Sequence, residues 1–333
     1  MQANLTHRRV ILARPRGFCA GVVRAIDIVE RALTLFEDRP VYVRHEIVHN
    51  RAVVDELSAK GAIFVSEIDQ IPVGSATIFS AHGVASSVEA AAKCRDLDVI
   101  DATCPLVRKV HKEGRAYAEK GFDVILVGHR GHPEVEGTRG QIPGRLHIVG
   151  TPGEVAAIDV ADPQKVAFVT QTTLSVFDTQ DVIAALRARF PAIVGPDTRN
   201  ICYATQNRQK AVLDLAGQID LLIVVGSGNS SNANRLRELG LNNGIASYLI
   251  DSPAKFDPTW LEGVTSIGVT AGASTPESLI QAVLARIESF GPVDVEIQDG
   301  HDENVHFRLP ERLANVKPRA ASPLETPLET LSS

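Results

Sequence analysis

The stretch Val10-Ile11-Leu12-Ala13-Arg14-Pro15-Arg16-Gly17-Phe18-Cys19-Ala20-Gly21 decides how this chain is read. It opens with a short apolar run, breaks at a Pro/Gly loop that carries a cysteine, and leads into an amphipathic helical pattern from Gly21 to Phe36. The same order recurs twice. Val99-Ile100-Asp101-Ala102-Thr103-Cys104-Pro105 precedes a helical pattern from Leu106 to Lys120, and Asn200-Ile201-Cys202-Tyr203 precedes one from Ala204 to Ala216. The three cysteines stand 85 and 98 residues apart, so the simplest organisation is three α/β units of about a hundred residues, each delivering one cysteine to a common centre. We place them at 19–103, 104–200 and 201–300, after an N-terminal strand segment (1–18) and before a C-terminal segment (301–333). From about Leu309 that last segment is rich in Pro, Ser and Thr and repeats Pro-Leu-Glu-Thr, which predicts disorder or a surface drape.

Further apolar runs at Val41–Val43, Thr77–Phe79, Val124–Val127, Val166–Val169, Leu221–Val225, Ser247–Ile250 and Ser266–Val269 alternate with helical patterns at Arg51–Lys60, Val182–Arg189 and Pro276–Ser289. Continuous apolar strands between helices predict an α/β fold whose mostly parallel sheets are covered on both faces, with ligands gathered beyond the carboxyl ends of the strands. Composition agrees: 44% of the 333 residues are hydrophobic and 22% charged, ample for a packed core. A formal charge of −6 argues against nucleic-acid partners, which need a basic face. No leader-like or membrane-spanning run stands out, so a cytoplasmic chain that does not engage a membrane is expected. Four cysteines in so long a chain do not form a disulfide framework.

Taken together, Cys19, Cys104 and Cys202 suit a soft-metal or iron–sulfur site in which each thiolate lies near a helix N-terminus. Three ligands leave a fourth position open, as a catalytic centre requires. Three separately buried small hydrophobes would also fit the residue type, but the shared loop placement and polar surroundings favour one site. Cys94, inside the helical run Val88–Arg95, lacks that placement and is expected to ligate nothing.

Six strand ends, two per unit, finish in hydrogen-bonding residues: His45 to Asn50, Ser80 to Gly83, His129 to Glu134, Thr170 to Thr173, Ser227 to Asn232 and Thr270 to Thr275. Imidazoles, hydroxyls, amides and helix N-termini with few lysines suit a small phosphate ester. Glu134 is the one carboxylate at the tip of these strand ends two residues from a histidine, and beside thiolates and phosphate its pKa would rise toward that of a general acid. Gly226-x-Gly228-x-x-Ser231, with Asp251 further on, imitates a dinucleotide fingerprint and keeps an NAD-binding oxidoreductase as an alternative, although its third glycine is replaced. His132-x-Glu134 without any Cys-x-x-Cys does not make a zinc deaminase.

The long motifs Pro15-Arg16-Gly17-Phe18-Cys19-Ala20-Gly21-Val22, His45-Glu46-Ile47-Val48-His49-Asn50, Ser80-Ala81-His82-Gly83-Val84 and Asp101-Ala102-Thr103-Cys104-Pro105 resemble those of the 4-hydroxy-3-methylbut-2-enyl diphosphate reductase (IspH/LytB) family. So do Gly131-His132-Pro133-Glu134-Val135-Glu136-Gly137, Thr170-Gln171-Thr172-Thr173-Leu174-Ser175, Asn200-Ile201-Cys202, Asn229-Ser230-Ser231-Asn232 and Thr270-Ala271-Gly272-Ala273-Ser274. The likeness runs from about residue 10 to about 308; Ala85-Ser86-Ser87 departs from the commoner Ser-Pro-type continuation at a helix start, and the tail lies outside it. The resemblance implies a pseudo-three-fold trefoil around one [4Fe–4S] cluster held by Cys19, Cys104 and Cys202, with the fourth iron open. It implies a two-electron reductive dehydroxylation of an allylic diphosphate to isopentenyl and dimethylallyl diphosphate, the last step of the non-mevalonate isoprenoid route. By the same resemblance His49, His82, His132, Ser230, Ser231, Asn232 and Ser274 hold the diphosphate, and Thr172 and Glu134 sit at the hydroxyl end. A ferredoxin- or flavodoxin-type electron donor and a monomeric chain are expected. A non-catalytic iron–sulfur sensor is the other alternative, and it would not need the six polar strand ends.

Overall fold

Val10 and Leu12 are fully buried, and the strand they belong to, β1 (Arg8–Leu12), does not pair with its neighbours in sequence. It inserts between two strands from the far end of the chain. A computed structural model describes residues 7–196, 200–300 and 302–319, and within them every strand pair is parallel. Parallel pairing requires helical crossovers, and these cover both faces of three sheets.

In the first unit, α1 (Ala20–Leu35), β2 (Val41–Arg44), α2 (Arg51–Ala59), β3 (Ala62–Val65), β4 (Ala76–Phe79), α3 (Ser86–Cys94) and β5 (Asp98–Asp101) build a sheet of order β3-β2-β4-β5. The second contains α4 (Pro105–Glu119), β6 (Asp123–Val127), α5 (Pro133–Gln141), β7 (Leu146–Val149), β8 (Val166–Thr170) and α6 (Val176–Arg189), with order β7-β6-β8. The third contains α7 (Tyr203–Leu215), β9 (Leu221–Val225), α8 (Ser231–Asn242), β10 (Ala246–Ile250), β11 (Ser266–Ala271), α9 (Glu277–Glu288) and β12 (Val293–Ile297), with order β10-β9-β11-β1-β12.

The three orders are one pattern. A fourth position beyond β4, β8 and β11 is filled by β5, by an isolated bridge of Val194 to Ala167, and by β1. The chain running on from each fourth position reaches a cysteine, Cys104, Cys202 and Cys19 in turn. The helix it then enters packs onto the next sheet: α1 through Ala25, Ile28, Val29 and Ala32, α4 through Val110, and α7 through Ala211, Val212 and Leu215. Inserting β1 into the third sheet closes this ring.

Short elements escape the periodicity. The edge strands β3 and β7 are brief, and β12 alternates Val-Asp-Val-Glu-Ile with mostly exposed side chains. Helix α5 contains Gly137 and Gly140, weak helix formers, and a Cβ at Gly137 would lie 2.9 Å from the carbonyl oxygen of Gly83. The glycine is what lets this helix meet the loop of His82 and Gly83. Helix α6 begins at Val176, before the expected Val182, because Ser175 Oγ accepts the Asp178 N–H as its N-cap. Beyond Leu309 the chain follows the surface of the first unit, where Leu313 is fully buried, Leu309 and Val316 pack on the same core, and Arg312 pairs with Asp98 at 2.6 Å. The expectation for residues 320–333 lies outside the described residues.

Candidate active site

Each of Cys19, Cys104 and Cys202 is the N-cap residue of the helix it opens, and Cys202 Sγ accepts the Thr205 N–H of that first turn at 3.4 Å. Their own backbones are held identically. The N–H of Cys19 donates to Ala273 O, that of Cys104 to Ala81 O and that of Cys202 to Thr172 O, each at 3.0 Å. Those carbonyls belong to the loops after β11, β4 and β8. All three thiols are free and partly buried, whereas Cys94 is exposed at the end of α3.

The thiols crowd one another. A Cβ at Gly21 would lie 2.9 Å from Cys104 Sγ and 3.7 Å from Cys19 Sγ, so only glycine lets both sulfurs face the centre. Burial, reinforced by the neighbouring Cys19, pushes the Cys104 thiol up to about 12. Burial and Cys19 likewise push Cys202 to about 11, against hydrogen bonds from Thr205. Three thiols lining one cavity are the donor set of a soft metal centre. Among the described residues, no three His, Cys, Asp or Glu groups converge as they would on one shared metal ion.

Opposite the thiols, the ends of β2, β4 and β6 bring three imidazoles together. Ring centroids are 4.1 Å apart for His49 and His82, 5.2 Å for His49 and His132, and 6.0 Å for His82 and His132. Burial holds His82 well below its ordinary range and His132 at about 3, with His49 adding to both. These two rings are therefore neutral donors. His132 Nδ1 accepts the Glu134 N–H at 3.1 Å, which leaves the ring proton on Nε2. His49 Nδ1 meets Glu46 at 3.2 Å, and its Nε2 is buried without a protein partner.

Helix α8 presents the third face. Ser230 caps it by accepting the Ala233 N–H at 3.4 Å, which leaves its own proton to donate elsewhere. Both amide atoms of Asn232 are buried and unpartnered. Ser231 Oγ donates to Thr173 O at 3.2 Å and Ser274 Oγ to His49 O at 2.9 Å, so these two tie the third unit to the second and first.

Glu134 is almost fully buried on the first turn of α5. Its carboxylate accepts the Thr172 N–H at 2.6 Å and the Thr172 hydroxyl at 2.8 Å. Burial outweighs those bonds and pushes its pKa up to about 7. Thr172 thus links the carboxyl to the backbone of Cys202.

All the residues singled out above line one cavity of about 110 Å³: the three cysteines, His49, His82, His132, Glu134, Thr172, Ser230, Ser231, Asn232 and Ser274. This is room for several waters or a small ligand. Two residues that matter here carry no individual signal in the sequence. Gly21 was visible only as part of a motif, and Thr205, bonded to Cys202 Sγ, carries the ordinary signature of a helix first turn.

The family model described as LytB protein matches residues 10–288. The chain belongs to that family. Within it, the protein named 4-hydroxy-3-methylbut-2-enyl diphosphate reductase from Zymomonas mobilis is 58% identical over 317 residues, covering 94% of this chain and 92% of that one. The protein of the same name from Burkholderia pseudomallei is 56% identical over 311 residues, covering 93% and 99%. A solved structure of the E-1-hydroxy-2-methyl-but-2-enyl-4-diphosphate reductase of Plasmodium falciparum superposes with a TM-score of 0.87 at 37% identity, covering 92% of this chain and 97% of the other. A second structure, of (E)-4-hydroxy-3-methyl-but-2-enyl diphosphate reductase described as the terminal enzyme of the non-mevalonate pathway, matches at 32% identity and a TM-score of 0.60, covering 85% and 99%. In this LytB chain no described helix is long and apolar enough to cross a membrane.

Proposed function

We propose that the protein is a 4-hydroxy-3-methylbut-2-enyl diphosphate reductase, an iron–sulfur oxidoreductase of the non-mevalonate isoprenoid pathway. The observation that carries this reading is the meeting, in one cavity, of three cysteines at helix N-caps, a cluster of hydroxyl, amide and imidazole groups and a buried carboxyl whose pKa is pushed up to about 7. Overall, the allylic alcohol takes up two electrons and two protons and releases water, forming isopentenyl or dimethylallyl diphosphate.

Cys19, Cys104 and Cys202, each at a helix N-cap and each lining the same cavity, would hold a [4Fe–4S] cluster and leave its fourth position open. When bound, that cluster supplies Lewis acidity at its open iron and conducts electrons from a ferredoxin- or flavodoxin-type donor. The chain's own residues do the rest. Ser230, Asn232 and the imidazoles of His49, His82 and His132 grip the diphosphate through N–H and O–H donors, aided by the N-terminus of α8. Ser231 and Ser274 hold the units together around it. Thr172 orients Glu134, which delivers a proton to the departing hydroxyl oxygen; a carbon–oxygen bond breaks far more readily when the oxygen leaves protonated. The dinucleotide alternative loses its support, because Ser230 and Asn232 face the thiol cavity and Asp251 pairs with Lys255 at 2.7 Å.

The test is direct turnover. Anaerobically reconstituted protein, given 4-hydroxy-3-methylbut-2-enyl diphosphate and a one-electron reductant, is expected to form both five-carbon diphosphates. Cluster-loaded protein that leaves the substrate unchanged would overturn the proposal.

A further inference from the structure

The loop before each cysteine is held by the helix that opens with another cysteine. Helix α1, which opens at Cys19, sends Arg24 to the loop of Cys104, where its Nη1 donates to the carbonyls of Ala102 and Thr103 at 3.2 Å each. Helix α4, which opens at Cys104, sends Glu113 to the loop of Cys202, where its carboxylate accepts from Asn200 Nδ2 at 2.8 Å. Helix α7, which opens at Cys202, sends Arg208 to the loop of Cys19, donating to Gly17 O from Nε at 3.1 Å and from Nη2 at 2.8 Å. The ties run from Cys19 to Cys104 to Cys202 and back, a closed ring outside the cavity lining.

Two of the three ties also depend on the C-terminal segment. Arg24 Nε donates to Arg308 O at 2.9 Å. Arg208, wholly buried, pairs with both oxygens of Glu303 at 3.1 Å, and Glu303 also accepts from Asn207 at 2.9 Å. A buried guanidinium is costly unless it is paired and its donors are satisfied; Glu303 and the Gly17 and Ala204 carbonyls meet that need.

We propose that Arg24, the Asn200–Glu113 pair and Arg208 are positioning residues that fix the three cysteine loops relative to one another, and that the Arg208–Glu303 pair tunes the reduction potential of the group those cysteines hold. The proposal rests on the iron–sulfur reading above. Groups just behind metal ligands commonly orient them and set the charge they feel, and nearby charge is one of the levers on cluster potential. A positive charge beside the cysteines favours the reduced, more negative state. Glu303 offsets that charge.

The experiment measures the reduction potential of the anaerobically reconstituted wild-type, Arg208→Gln, Arg208→Lys and Glu303→Gln proteins, together with the rate at which a chelator strips iron. Arg208→Gln removes the cation and should shift the potential downward. Glu303→Gln leaves the cation uncompensated and should shift it upward. Arg208→Lys keeps the charge but loses the fork, so its potential should stay near wild type while iron is lost faster. In Arg208→Gln we expect iron loss about 10–100-fold faster than in wild type, the usual penalty for disturbing such supporting contacts. General loosening would not move the potential in opposite directions in the two Gln variants. If Arg208→Gln does not fold, the upward shift in Glu303→Gln decides the matter alone. Wild-type potentials in the folded Arg208→Gln and Glu303→Gln proteins would overturn the proposal, whereas a wild-type protein without iron and sulfide would overturn the reading beneath it.

Discussion

Around the cavity the three cysteine loops repeat closely: the same N-cap position, the same 3.0 Å bond from cysteine N–H to a strand-end carbonyl, and a side chain from another cysteine's helix tied to each loop, an arginine in two cases and a glutamate in the third. The facing strand ends start from equivalent positions in the same repeated unit and diverge. Units one and two contribute imidazoles at His49, His82 and His132, unit two adds the Glu134–Thr172 pair, and unit three offers only hydroxyls and an amide. A symmetric wall suits a symmetric inorganic group. An asymmetric wall suits a substrate whose two ends differ, one to be gripped as an anion and the other to be protonated. The fold supplies the framework three times, and the chemistry lies where the repeats stop agreeing.

The sharpest way to break this division is to alter the most asymmetric residue. Glu134→Gln retains size and one acceptor for Thr172 but has no acidic proton. It should keep its iron and bind substrate while losing about 10²–10⁴-fold in turnover, the range for positioned acid catalysis. Near-normal turnover with reductant in excess would assign proton delivery elsewhere.

Glu134 also leaves a mark on stability that needs no cluster. Its folded pKa of about 7 lies above the 4.5 of the free side chain, so the folded state holds the proton more tightly. Its contribution is therefore fully present below about pH 4.5 and is lost as pH rises through about 7. Apo protein should lose of the order of 2–3 kcal/mol from this group between those limits. Unfolding measured across that window should show a shallower loss in Glu134→Gln, and equal slopes would contradict the burial argument.

Next in size is the anion grip. Ser230→Ala or Asn232→Ala should weaken substrate binding by roughly 1–3 kcal/mol, because each removes a hydrogen-bonding partner that a buried charged group would then lack. Ser231→Ala should weaken it less, since that hydroxyl already donates to Thr173. Calorimetric titration of the three variants orders them, and a larger loss in Ser231→Ala would reverse the assignment. The smallest effect is expected at Cys94. It is exposed at the end of α3, so Cys94→Ser should change thermal stability by no more than about 0.5 kcal/mol and leave iron content intact.

Much of this was legible in the sequence because its signals are local and repeated. Fully buried strands such as β6, β8 and β9 read as apolar runs, and the cysteine loops declared themselves through their position between a run and a helix. What escaped is what depends on partners distant in sequence. Edge strand β12 looks like a polar stretch until β1 pairs with it, and α5 looks too glycine-rich for a helix until Gly83 is seen against Gly137. Arg208 reads as a surface residue on a polar helix, and only the fold buries it against Gly17 and Glu303. Motif alone does not separate Ser231 and Ser274 from Ser230, whereas in the fold their hydroxyls bind backbone carbonyls of other units.

The central claim, that the symmetric wall holds an inorganic cluster and nothing else in the chain does, is tested most directly by anaerobic iron and sulfide analysis. Wild type is compared with Cys19→Ser, Cys104→Ser, Cys202→Ser and Cys94→Ser. Near-equal iron and sulfide are expected in wild type and Cys94→Ser, with severe loss of both in each of the other three. Full cluster content in any of those three, or loss in Cys94→Ser, would contradict it.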